Sequence, residues 1–231
     1  MKNKDKIKIL IADDEEDILE LLEYNLVKEG YAIKTVKNGK EALEAAKEFQ
    51  PNIIVLDIMM PVIDGIEACR RFRETPEFSK TFILFLTARS EEYSEIAAFD
   101  AGADDFINKP IKPKAFVSRI AAILKREKKN ETNATVLKAG DLVIDRNTYI
   151  VYKGDKEINL PRKEFELLYF LAANQNKVFN RDELLQKVWG TDVYVLSRTV
   201  DVHIRKVRER LGENYITTIK GVGYKFEYEE I

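Results

Sequence analysis

The 231-residue chain contains a single cysteine, Cys69, and a single histidine, His203. One cysteine cannot form an intrachain disulfide, so the sequence suits a reducing compartment. A histidine-based triad or a multi-histidine metal site would have to rest on His203 alone. Long apolar runs are missing as well, and no window approaches the roughly 20 apolar residues of a membrane span. The basic start, Met1 to Lys8, is not followed by the apolar stretch and small-residue cleavage site of a secretion signal. These absences point to a cytoplasmic protein whose chemistry is carried by carboxylates, hydroxyls and lysines.

With 45% hydrophobic and 34% charged residues, the chain has enough apolar material for real cores, and its length predicts one or two domains. The net charge of −2 conceals a mild asymmetry. Residues 1–125 hold 19 Lys and Arg against 23 Asp and Glu, a net of −4, and residues 126–231 hold 19 against 17, a net of +2. Local placement of charge is therefore more informative than the total.

The first part alternates two periods. Apolar runs of strand length, Ile7–Ala12, Ala32–Val36, Ile53–Leu56, Phe82–Leu86 and Phe106–Ile107, are separated by helical patterns at Ile18–Leu26, Ala42–Phe49, Ile66–Phe72, Ile96–Ala101 and Phe116–Leu124. Five successive βα units predict a doubly wound α/β domain with a five-stranded parallel sheet over residues 1–125. Residues 126–136 are charged and polar and read as a linker. In residues 137–231 the pattern changes. Short strands at Leu142–Asp145, Tyr149–Tyr152 and Glu157–Leu160 precede a helix opened by Pro161, a second from Asn180 with a capping-box Glu183, and a third over Ser197–Leu211. Two strands around Gly221-Val222-Gly223 close an α+β domain.

The polar residues of the first part fall at strand ends. Asp13 and Asp14 follow the first strand, Asp57 the third, Thr87 the fourth and Lys109 the fifth. In an open parallel sheet these ends converge on a crevice at the topological switch point. Carboxylates there suit Mg²⁺, a hard cation bound through oxygen. A carboxylate beside the metal can attack phosphorus to give an aspartyl phosphate, and a lysine can neutralise the phosphoryl oxygens. Acids ahead of a helix also have a plain structural use at the positive end of its dipole.

Ile9–Asp14, Val55–Asp57 with Met59-Met60-Pro61 and Asp64-Gly65, Leu86-Thr87-Ala88, Gly102–Phe106 and Lys109-Pro110 together resemble the receiver domain of two-component response regulators. The resemblance spans about residues 7–125. It implies a flavodoxin-like fold with Asp57 as phosphoacceptor and Mg²⁺ held by Asp13, Asp14, Asp57 and the Met59 carbonyl. It also implies Lys109 on the phosphoryl group and a switch pair, Thr87 and Phe106, in which Thr87 moves toward the phosphoryl oxygen and Phe106 enters the vacated space. It further implies dimerisation of the active receiver, with Asp105–Arg119 and Asp104–Arg126 as candidate cross-subunit ion pairs. Glu95 stands where the family usually has a basic residue and Ala115 where it usually has glutamate, so one customary pair is missing.

In the last predicted helix, Val200, Ile204, Val207 and Leu211 make an apolar stripe, and Arg198, His203, Arg205, Lys206, Arg208 and Arg210 surround it. Lys220 and Lys225 flank the glycine-rich hairpin tip. Two helices, a basic helix and a basic hairpin describe a winged helix-turn-helix. Arg198–Arg208, Ile219–Tyr224 and Leu160–Leu168 resemble the OmpR/PhoB-type output domain over about residues 137–228. That resemblance implies that Arg198, His203, Arg205, Lys206, Arg208 and Lys220 face promoter DNA, and that the Trp189–Ser197 loop meets RNA polymerase. The expected protein is a transcription regulator phosphorylated by a sensor histidine kinase. It would act as a homodimer on tandem half-sites and catalyse at most its own phosphotransfer and aspartyl-phosphate hydrolysis. Two other readings remain open on the residues alone: an Asp-nucleophile phosphatase, against which the Asp13-Asp14 spacing argues, and a DNA-binding protein that does not use phosphate.

Overall fold

The structure, a computed structural model, describes residues 7–78, 81–88, 97–131 (backbone only from 126), 136–190 and 198–228. The chain divides into two compact units, Met1–Arg126 and Glu127–Ile231.

The first unit is a parallel sheet with strand order β2-β1-β3-β4-β5, formed by β1 (Lys8–Ala12), β2 (Ala32–Val36), β3 (Ile53–Asp57), β4 (Phe82–Ala88) and β5 (Asp105–Lys109). The central strand β3 is buried along its whole length. Such burial on both faces explains why the strands read as unbroken apolar runs rather than alternations. One face packs on α1 (Glu16–Lys28) and α5 (Pro113–Glu131). There Ile9, Ile11, Ile53, Val55, Leu84 and Leu86 join Leu19, Leu22, Leu26, Phe116, Ile120 and Ile123 in one core. Each such side chain contributes about 1.5–3 kcal/mol by leaving water. The opposite-facing Leu10, Ile54, Leu56, Ile83 and Phe85 are also buried, as are Ala42 and Ala46 of α2 (Gly39–Phe49) and Ala68, Cys69 and Phe72 of α3 (Gly65–Glu74). The described part of α4 covers residues 97–100.

Local signals start the helices. The Asn38 side chain accepts from the Glu41 amide, and the Asp64 side chain accepts from the Glu67 amide, so each satisfies an orphan N–H of a first turn. The segment expected to be a linker begins as helix instead: α5 continues to Glu131. Arg126-Glu127-Lys128-Lys129 are strong helix formers, and a stretch with no apolar residue shows no apolar period to betray a helix.

The second unit opens with an antiparallel sheet, order β6-β7-β8-β9, made of β6 (Val136–Ala139), β7 (Leu142–Asp145), β8 (Ile150–Lys153) and β9 (Lys156–Asn159). Strand β6 was not expected from the sequence. It pairs at the edge through Leu137 opposite Ile144. Three helices follow, α6 (Arg162–Ala173), α7 (Arg181–Val188) and α8 (Arg198–Leu211), the second started by the expected Asn180–Glu183 capping box. The chain ends in the hairpin of β10 (Ile216–Ile219) and β11 (Gly223–Phe226), and Phe179 bridges to Tyr224 of β11. This is the winged-helix arrangement. Among the described residues no helix is long and apolar enough to cross a membrane.

Candidate functional site

The order β2-β1-β3 puts the point where the chain reverses its winding between β1 and β3. Open α/β sheets bind ligands outside such a point. Asp13 leaves β1 there with its amide bonded to the Val36 carbonyl, and Asp57 is the last residue of β3. Lys109 arrives from the end of β5. Its Nζ lies 2.8 Å from Asp57 Oδ1, 2.9 Å from Asp13 Oδ2 and 2.7 Å from Glu15 Oε1. Asp57 Oδ2 accepts from the Met59 amide at 2.7 Å, which curls the following loop back over the carboxylate. Thr87 is buried one residue beyond Leu86, the partner of Asp57 across the ladder. Asp14 is exposed.

Burial dominates the electrostatics. Desolvation holds the carboxyls of both Asp13 and Asp57 above the ordinary carboxylate value, although hydrogen bonding to Lys109 pulls each down. Burial alone would lower Lys109, but the hydrogen bonds it donates to Asp57, Glu15 and Asp13 outweigh it and push the ammonium up. A carboxyl raised above its unfolded value of 3.8 makes the folded protein bind more protons than the unfolded one just above that value. Stability therefore falls as pH rises through the raised values. Lys109 acts on the other side, because its contribution is lost only as pH climbs through its elevated value, above the ordinary 10.5. We expect Asp13→Asn and Asp57→Asn each to raise the unfolding temperature at neutral pH and to flatten its acid-side pH dependence. Calorimetry across pH 4 to 8 checks this; a lower melting temperature for both variants would contradict it.

Whether these groups suit a hard dication can be judged from the oxygens themselves. Asp13 Oδ2 is buried, with the Lys109 ammonium at 2.9 Å. Two buried, incompletely neutralised carboxylates fit Mg²⁺ chemically. Among the described residues no three Asp, Glu, His or Cys side chains have the grouping of a metal site in this conformation, in which Lys109 Nζ lies among Asp13, Glu15 and Asp57.

Phe106 is 3% exposed, with its ring edge-on to Phe99 at 5.7 Å between centroids. The expected entry of this ring on activation has no counterpart in this conformation, in which it already lies inside. One of the expected dimer contacts, that of Asp104, needs correction. Asp104 is wholly buried and ion-paired at 2.6 Å to Arg73 of its own unit, since a strand-entry carboxylate beneath α3 is neutralised where it is buried rather than at a surface. Asp105 and Arg119 pair with each other within the chain at 2.6–2.9 Å, their side chains little exposed. Glu95, Tyr194, most of the Trp189–Ser197 loop and the Arg126 side chain lie outside the described residues.

In the second unit the α8 stripe of Val200, Ile204, Val207 and Leu211 is buried as expected. His203 belongs to the same face. It is 2% exposed, edge-on to Trp189 at 4.9 Å, with Nδ1 2.9 Å from the Thr199 carbonyl. It is a core residue and not a DNA contact, because position 203 lies in phase with 200, 204 and 207. Arg208 is also diverted: its guanidinium donates to the Ile216 carbonyl at 2.6 Å and to Thr218 Oγ1 at 2.8 Å, tying α8 to β10. Arg198, Arg205 and Lys220 are exposed, and Lys206 is half-buried. Val222 is exposed at the hairpin tip beside Lys220.

Comparison with known proteins assigns both units. The profile described as "Response regulator receiver domain" matches residues 9–121, and "Transcriptional regulatory protein, C terminal" matches residues 155–226. The chain is 41% identical to the phosphate regulon transcriptional regulatory protein PhoB of Rhizobium meliloti, over 95% of this chain and 98% of that one. The chain belongs to the OmpR/PhoB-type response regulators. This regulator is also 41% identical to the alkaline phosphatase synthesis transcriptional regulatory protein PhoP of Bacillus subtilis, over 95% of this chain and 96% of that one. The solved structure of a cysteine-to-serine mutant of RitR matches with a TM-score of 0.79 at 28% identity, covering 96% of this chain and all of that one. The chain is thus a DNA-binding response regulator of a two-component system.

Sequence reasoning missed Glu15 as a partner of Lys109. It follows Asp13-Asp14 directly, but only the fold shows that its carboxylate reaches a lysine 94 residues away. It missed the Arg73–Asp104 pair for the same reason.

Proposed function

We propose that Asp57 is the phosphoacceptor of this regulator and that its phosphorylation raises affinity for promoter DNA. The observation that carries the reading is the bridging of Asp13 and Asp57 by Lys109 at the switch point of the sheet. The Met59 amide and Lys109 orient the Asp57 carboxylate from its two oxygens. One oxygen attacks the phosphorus of a phosphohistidine on a sensor histidine kinase, the phosphorus–nitrogen bond breaks, and the imidazole leaves. Lys109 shifts from Asp57 to a phosphoryl oxygen, and the Thr87 hydroxyl donates to another. Asp13, Asp14, Asp57 and the Met59 carbonyl would hold Mg²⁺, which when bound neutralises charge on the phosphoryl oxygens. The chain catalyses nothing beyond this transfer and the hydrolysis of its own acyl phosphate.

The phosphoryl group adds about −1.5 to −2 charge and strong acceptors to a packed site, which biases the surface around α4, β5 and α5 toward pairing with a second copy. Two output domains then meet tandem half-sites about one helical turn apart. Arg198, Arg205 and Lys206 of α8 lie in the major groove, and Lys220 at the hairpin tip meets the phosphate backbone. RNA polymerase is the further partner, and the cytoplasm is the compartment. Incubation with acetyl phosphate and Mg²⁺ tests the chemical step. We expect one phosphoryl group per chain, mapped by mass spectrometry to Asp57 and abolished by EDTA or Asp57→Asn. Labelling of another residue, or none, would overturn the reading.

A further inference from the structure

Asp201 sits in the first turn of α8, the helix that carries Arg198 and Arg205. An acid on a DNA-facing helix repels phosphates, so its retention calls for another use. Its Oδ1 accepts from Arg181 Nε at 2.7 Å and from the Tyr224 hydroxyl at 2.6 Å. Arg181 is the first residue of α7, and Tyr224 belongs to β11 of the hairpin. One carboxylate oxygen therefore joins both helices of the helix-turn-helix to the wing.

The joint is reinforced around the same ring. Tyr224 is 5% exposed, with the Arg181 guanidinium 5.2 Å and the Arg208 guanidinium 5.9 Å from its centroid. Its backbone exchanges two 2.9 Å hydrogen bonds with Phe179, just ahead of α7. Gly223 allows that approach, because a Cβ there would drive into the Phe179 carbonyl. Arg208 fastens the other wing strand through Ile216 and Thr218. Beyond these ties the tip, Lys220 to Val222, is exposed.

We propose that Asp201 is a positioning residue for DNA binding: through Tyr224 and Arg181 it fixes the wing tip against α8, so that both meet the duplex already aligned. Holding the tip in place before contact removes an ordering cost that binding would otherwise carry. The proposal rests on the reading that Lys220 touches DNA.

Its test turns on the sign of one effect. If Asp201 mattered only through charge, Asp201→Ala would strengthen DNA binding by removing a repulsion. The lock predicts the reverse: Asp201→Ala and Tyr224→Phe each weaken binding about five- to tenfold. Both lose hydroxyl-radical protection at the wing and keep it where α8 lies. The double variant is no weaker than the weaker single, since Tyr224→Phe removes a bond that Asp201→Ala has already broken. The measurement uses full-length phosphorylated protein, with thermal melts in parallel; Tyr224→Phe keeps the ring between its arginines and so serves as the variant that stays folded. Unchanged or tighter binding by Asp201→Ala with unchanged binding by Tyr224→Phe overturns the proposal, as does equal loss of wing and α8 protection. Lys220→Ala separates the two levels. If it weakens binding while Tyr224→Phe does not, the lock alone fails. If Lys220→Ala has no effect, the reading of the wing as a DNA contact fails and the lock falls with it.

Discussion

Replacing Arg73 with methionine is expected to destabilise the receiver by about 3–5 kcal/mol, the loss that follows when one member of a buried ion pair is removed. The Arg73 and Asp104 side chains are only 6% and 1% exposed. Arg73 Nη2 donates to Asp104 Oδ2 at 2.6 Å, and the same guanidinium donates to the Gly102, Phe78 and Thr81 carbonyls. Asp104 Oδ2 also accepts from the Ile83 amide in the middle of the sheet. Methionine keeps the length and loses every donor, which leaves a carboxylate in the core with its ionic partner gone. Urea unfolding of the full chain measures the effect, and a second replacement, Asp104→Asn, should recover part of the loss. A destabilisation below about 1 kcal/mol, the range of exposed pairs, would mean that water reaches Asp104.

Gly65→Ala is expected to damage the phosphorylation pocket directly. A Cβ at Gly65 would drive into the backbone carbonyl of Asp57 and press on the Phe85 ring. Neither obstacle is the end of a flexible side chain, so the loop or the end of β3 must move. Overpacking of this kind costs about 1–3 kcal/mol in stability. The larger effect is on rate: a displacement near 1 Å at a reacting group lowers it about 100-fold. Asp57 labelling by acetyl phosphate should slow by that order while the variant remains folded by circular dichroism. A wild-type labelling rate would show that the Asp57 carboxylate tolerates movement of its strand end.

The parallel sheet was legible because its strands are buried on both faces and read as apolar runs, with Asp13, Asp57, Thr87 and Lys109 just past them. The pocket was legible for the same reason, since strand-end positions converge once the sheet order is known. What escaped lies where sequence carries no periodic signal. Strand β6 is four half-exposed residues at a sheet edge, and the last turns of α5 have no apolar face. Asp104 looked like a surface acid because its partner is 31 residues away on another element. His203 and Arg208 were drawn to DNA by their chemistry. For His203 the helical phase held the correction: the position sits in the stripe of Val200, Ile204 and Val207, and a strict count of faces places it inward. Arg208 carried no such mark, since its partners belong to a hairpin that the sequence locates but does not orient.

The central claim is that phosphate on Asp57 controls the grip of the output domain on DNA. Its most direct test is a DNA-binding titration of wild type and Asp57→Asn, each with and without beryllofluoride plus Mg²⁺, against genomic fragments selected by the wild-type protein. The account predicts that wild type binds more tightly with beryllofluoride and that Asp57→Asn does not respond. Equal affinity for both proteins, with and without beryllofluoride, would contradict it and leave a regulator that binds DNA independently of phosphorylation.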